Sequence, residues 1–154
     1  MIPRLPSNCE GVDKLLAGGI EQGTVSLVYG EAGTGKTSLA LQLSREAIKA
    51  YPEHVVLFVD TEGLSLERMS QIFGDCDASK LLMIRPSSLT DLHQTLTRKL
   101  EKHPKISLIV VDTINAYVRL SYLKNKELSS RQFLEMTSIL PVSYTHLTLP
   151  TIAV

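Results

Sequence analysis

Apolar residues fall along this chain in two kinds of pattern. Short continuous runs, TVSLVY (24–29), HVVLFVD (54–60), KLLMI (80–84) and ISLIVV (106–111), read as strands buried on both faces. Between them, apolar positions recur three and four residues apart. Leu39, Leu43 and Ala47, widened by Ala40 and Ile48, predict a helix from about 35 to 49. Residues 64–73 predict a second helix. Ser88 opens a third, with Asp91 as its capping-box partner and Leu89, Leu92, Leu96 and Leu100 as its apolar face. A last helix is expected over about 126–140. Upstream, residues 1–7 hold two prolines and read as an extended lead-in. Asn8 is expected to cap a short helix through about Leu16, with Val12, Leu15 and Leu16 on one side and Gly18-Gly19 ending it.

Strands that alternate with helices and are apolar on both faces predict an α/β fold, a mostly parallel sheet with helices on both faces. Such sheets bind ligands beyond the carboxyl ends of their strands. Three segments converge on that edge: the loop at 30–37, the end of the second strand and the end of the fourth.

Composition narrows the picture modestly. A chain of 154 residues, 44% hydrophobic and 21% charged, matches one globular domain with a real core. Sixteen basic and sixteen acidic side chains cancel. Any attraction to nucleic acid must therefore come from a local patch. Cys9 and Cys76 read as reduced thiols. His54, His93, His103 and His146 lack metal-ligand spacing and read as surface residues. No apolar run is long enough to cross a membrane and the N-terminus carries no signal pattern, so a cytoplasmic location is expected.

The loop VYGEAGTGKTSL (28–39) carries the first specific chemistry. Gly30-x-x-x-x-Gly35-Lys36-Thr37 matches the phosphate-loop pattern in full, between a buried strand and an amphipathic helix. Glycines at 30, 33 and 35 permit backbone angles a Cβ would forbid and let amides close around phosphate oxygens. Gly30, Glu31, Ala32, Gly33, Thr34, Gly35, Lys36, Thr37 and Ser38 are the expected nucleotide-binding residues. Lys36 would neutralise the β and γ phosphates, and Thr37 would offer its hydroxyl to Mg2+. Asp112 ends the fourth strand, the Walker B arrangement, and is expected to hold Mg2+ opposite Thr37. Glu62 projects from the same edge, after Asp60 and Thr61. Two readings stand there: Glu62 polarises an attacking water, or Asp60 or Glu62 caps the next turn.

These segments together resemble the RecA superfamily of recombinases, and within it the archaeal RadA/RadB group. IPRLPSNCEGVDKLLAGGIEQG (2–23) is similar to that group's ATPase-domain start, without the helix-hairpin-helix domain of RadA, which implies the RadB branch. VLFVDTEG (56–63) is similar to the family strand whose glutamate activates water, implying that role for Glu62. LSLERM (64–69) resembles the short helix whose arginine packs on adenine, implying that role for Arg68, in a segment one residue shorter than in RadA. LIVVDT (108–113) matches the family's Walker B strand, and residues 116–140 resemble the region that follows it. The resemblance implies a RecA-like P-loop NTPase that uses ATP and Mg2+ in homologous recombination and DNA repair. It implies weak or DNA-modulated ATPase turnover that assists a RadA-type recombinase, with a junction nuclease as a further partner. Arg119, Lys124, Lys126 and Arg131 lie where the family's first DNA loop falls; they suit single-stranded DNA phosphates or a solvated helix start equally. Two other functions fit the same motifs: a non-catalytic, ATP-gated partner protein and a KaiC-like regulatory ATPase. The second usually has paired glutamates where this chain reads Asp60-Thr61-Glu62-Gly63.

Residues 141–151 (PVSYTHLTLPT) depart abruptly from the family and closely resemble translated sequencing-adapter DNA. The expected organisation is an incomplete RecA-like ATPase domain over 1–140, truncated at its C-terminus, and a non-native tail over 141–154.

Overall fold

The computed structural model describes residues 2–103 and 105–116, and the backbone of 151–153. The expected helix over 126–140 and most of the tail lie outside the described residues. The described chain runs β1 (Arg4–Leu5), α1 (Glu10–Leu15), β2 (Ile20–Glu21), β3 (Val25–Leu27), α2 (Lys36–Ala50), β4 (Val55–Asp60), α3 (Leu66–Phe73), a 3-10 turn (Ala78–Lys80), β5 (Leu81–Ile84), α4 (Leu89–Lys102), β6 (Ile106–Asp112) and β7 (Thr151–Ala153).

Five strands form one parallel sheet in the order β3-β7-β6-β4-β5. β4 and β6 sit inside it and are buried almost throughout, as their unbroken apolar runs require. Their side chains divide by the two-residue period of a strand. Val56, Phe58, Leu108 and Val110 pack against Leu41, Leu43, Ala47 and Ile48 of α2 and Phe73 of α3. Leu57, Val59, Ile109 and Val111 pack on the other side against Leu89, Leu92 and Leu96 of α4. Helices therefore cover both faces, as the alternating pattern predicts. Among the described residues, no helix is long and apolar enough to cross a membrane.

Several local expectations are corrected. Asn8 does not cap α1; it takes a left-handed φ of 59°, and Cys9 occupies the cap position without a side-chain bond. The segment is held instead by Asp13, whose carboxylate accepts the Ser7 amide (2.7 Å) and hydroxyl (2.8 Å). The side carrying Val12, Leu15 and Leu16 is not buried: α1 has no buried residue, and Leu15 is 84% exposed. The lead-in is not merely extended, because Arg4–Leu5 pairs antiparallel with Ile20–Glu21. That pairing is close at Gly19, where φ is +126° and a Cβ would lie 2.2 Å from the Leu5 carbonyl oxygen. Only glycine fits there. The first sheet strand is shorter than its apolar run, covering Val25–Leu27. Ser88 does cap α4 by accepting the Asp91 amide (3.1 Å), but Asp91 returns its bonds to the Ser87 amide and hydroxyl, one residue before the cap.

Candidate nucleotide site

The 30–37 loop connects β3 to α2 at the carboxyl edge of the sheet. Gly35 stands at the start of α2 with φ +91°, and Gly33 has φ +78°. Both are left-handed, so the loop turns back over the helix axis. A Cβ added at either position would meet no atom within 4 Å, leaving an open concavity rather than a filled turn. Gly30 differs from expectation: its φ is outside the left-handed region, and its constraint is closeness, a Cβ there lying 3.2 Å from Thr34 Oγ1. Thr34 itself closes the loop by donating to the Glu31 carbonyl (2.8 Å).

Lys36 folds its ammonium back over the loop, donating to the carbonyls of Gly30 (3.0 Å) and Glu31 (2.7 Å). A cation is thus held at the mouth of the concavity by carbonyls that phosphate oxygens can replace. Thr37, in the first turn of α2, donates its hydroxyl to Asp112 Oδ2 at 2.6 Å, across 75 residues of sequence. Asp112 is 6% exposed. Burial pushes its carboxyl above the ordinary value; the Thr37 hydroxyl opposes the rise, Glu62 and Asp60 add to it, and Lys36 opposes it. Two hard oxygen donors, one of them an anion penalised by burial, suit Mg2+.

One cavity of about 730 Å³ is lined by Gly30, Lys36, Thr37, Glu62, Arg68 and Asp112, among others. That volume lies within the range of small-molecule sites. Ala32, Gly33, Gly35 and Ser38 also line it. Glu31 and Thr34 act from the loop's own bonding rather than its wall. Arg68 reaches from the first turn of α3, capped by Ser65, and donates to Ser38 Oγ at 3.1 Å. The four cations suggested for DNA, Arg119, Lys124, Lys126 and Arg131, lie outside the described residues. Among the described residues, no group of three or more His, Cys, Asp or Glu side chains is placed to hold a metal. A cation here would be held by Thr37, Asp112 and phosphate oxygens together.

Asp60 caps the turn at the end of β4, its carboxylate accepting the amides of Glu62 (3.3 Å), Gly63 (2.9 Å) and Leu64 (2.7 Å). Glu62 is left exposed on the cavity wall. Thr61 and Arg85 were not anticipated as contributors. Thr61 joins the ends of β4 and β6: its amide donates to the Asp112 carbonyl (2.8 Å), and its hydroxyl accepts the Thr113 amide (2.9 Å). Arg85, just past β5, donates to Asp60 through Nε (3.0 Å) and Nη2 (2.8 Å). No spacing in the sequence marks either residue, because their partners come from neighbouring strands.

Comparison with known proteins identifies a family. The Rad51 family model matches residues 2–142. The DNA repair and recombination protein RadB of Methanococcoides burtonii is 38% identical over 121 residues, 75% of this chain and 52% of the relative. The protein of the same name from Archaeoglobus fulgidus is 49% identical over 71 residues, 46% of this chain and 31% of the relative. That from Methanosphaera stadtmanae is 35% identical over 147 residues, 90% of this chain and 62% of the relative. The chain thus spans from a third to just over three-fifths of the length of these curated relatives.

Proposed function

This chain belongs to the Rad51 family, and from that premise we propose that it binds ATP with Mg2+ at the sheet edge and acts in homologous recombination and DNA repair. In this reading it is a weak, DNA-modulated ATPase that assists a RadA-type recombinase. The observation that carries it is the 2.6 Å contact between Thr37 and Asp112 beneath the open glycine loop. That contact brings the two expected metal ligands together beside Lys36, on one cavity that also holds Glu62.

Each residue has a task in this site. The loop amides and the N-terminus of α2 bind phosphate oxygens. Lys36 exchanges the Gly30 and Glu31 carbonyls for the β and γ phosphates. Thr37 and Asp112 would hold Mg2+, which when bound offsets the charge of the phosphate oxygens. Glu62, exposed on the wall, accepts a proton from a water and aims it. Arg68, released from Ser38, would pack on the adenine. Arg119, Lys124, Lys126 and Arg131 are assigned to single-stranded DNA phosphates.

The test is ATP hydrolysis by the full-length protein, with and without single-stranded DNA, beside Glu62→Gln. The reading expects slow turnover that DNA raises and that falls by about 10²-fold or more in the variant. Nucleotide binding with negligible turnover in both proteins would instead favour the ATP-gated partner.

A further inference from the structure

Glu62 stands in a segment pinned at both ends. On one side Thr61 is fixed to β6 through Asp112 and Thr113. On the other, three successive amides, those of Glu62, Gly63 and Leu64, converge on the carboxylate of Asp60. Asp60 is 3% exposed. A buried carboxylate is costly unless its charge is matched and its lone pairs are filled. Arg85 does both, bringing two donors to Oδ2 from the end of the neighbouring strand. The Asp60 side chain thus meets five donors: three amides that fix a turn and one guanidinium that makes the anion tolerable there. Neither Asp60 nor Arg85 bonds to the glycine loop; Asp60 lines the cavity beside Glu62, and Arg85 stands behind it, outside the cavity wall.

We infer that Asp60 and Arg85 form a positioning pair that sets the direction of the Glu62 carboxylate, with Arg85 acting from outside the cavity that would hold nucleotide. The inference rests on the ATPase reading for its kinetic part alone. Geometry supplies the reason for a dedicated device. Glu62 follows directly on a strand end, where an unbraced backbone would swing the side chain by more than the fraction of an ångström that proton abstraction tolerates. The pair also explains why Glu62 is free to face the cavity: the capping task at this turn is taken by its neighbour two residues earlier. Arg85 is 61% exposed along its side chain, so replacing it removes no core packing, and what it takes away is the charge and donors that meet Asp60.

The experiment compares the full chain with Arg85→Gln and Arg85→Lys. Three quantities are read: amide hydrogen exchange at 62–64, equilibrium affinity for Mg-ATP, and kcat against KM. In Arg85→Gln, exchange at 62–64 should quicken by about tenfold, affinity should stay within about twofold, and kcat should drop by roughly tenfold with KM unchanged. Arg85→Lys, which keeps charge but loses the fork, should fall between. Unchanged exchange in Arg85→Gln overturns the inference. So does a loss confined to nucleotide affinity. If the parent chain does not hydrolyse ATP, the ATPase reading fails on that result alone. The exchange data then still decide whether the pair orders the Glu62 turn.

Discussion

At the residue scale, bonding partners rather than residue types decide roles. Asp60, Glu62 and Asp112 are three carboxylates on one rim, and the structure gives them three environments: capped and paired, exposed, and buried against a hydroxyl. The motif spacings around Lys36, Thr37 and Asp112 were enough to bring the last group together on paper. That Asp60 rather than Glu62 takes the capping bonds was not readable, because it depends on Arg85 and on where three amides point. The same holds for Asp13. Its burial raises the carboxyl's pKa, but bonds from the Ser7 amide and hydroxyl and the Asn8 and Cys9 amides outweigh that and hold it below the ordinary value. A carboxylate lowered in the folded state stabilises the fold above its unfolded pKa and loses that contribution as pH falls through the folded value. Asp13→Asn should therefore lower stability by about 1 kcal/mol near neutral pH. The gap from the parent should close in acid below the ordinary carboxylate range, as followed by denaturant unfolding across pH.

At the element scale, long periodic segments were legible and short ones were not. The stripe Leu89, Leu92, Leu96 fixed both the existence and the inward face of α4, since a helix of that length must bury one side. β4 and β6 followed from unbroken apolar runs. β1 and β2 could not be read, because two residues carry no period and their pairing rests on Gly19 meeting Leu5. For α1, apolar spacing placed Val12, Leu15 and Leu16 on one side; at six residues the helix is too short to lie across the sheet, and none of them is buried. The Ser88 cap gives a measurable case. Its hydroxyl accepts the Asp91 amide at the head of a helix that seals one face of the sheet. Ser88→Ala should cost about 1 kcal/mol and lower the unfolding midpoint without altering nucleotide affinity.

At the scale of the whole molecule, strand order does the functional work. Placing β4 beside β6 pairs Asp60 with Asp112 and brings Glu62 onto the same cavity, and the α2 crossover carries Thr37 over the end of β6. Right-handed crossovers account for the helices falling on opposite faces, α2 and α3 on one and α4 on the other. The sequence pattern gave this layering; it could not give the order of strands, which depends on pairing between distant segments. Among the described residues, one face is partly open. Val25 and Leu27 of the edge strand β3 are 44% and 63% exposed, and uncovered apolar edges invite association. Leu27→Lys should reduce light scattering of concentrated protein while leaving Mg-ATP affinity unchanged; equal scattering would show that another surface drives association.

We hold that the glycine loop, Lys36 and the Thr37–Asp112 pair make one nucleotide site. Calorimetric titration with Mg-ATP addresses it most directly, on the parent chain and on Lys36→Ala. The parent should bind saturably, and Lys36→Ala should lose at least about 1.4 kcal/mol, or tenfold, while unfolding at the same temperature as the parent without ligand. Equal affinity in the two proteins would contradict the account.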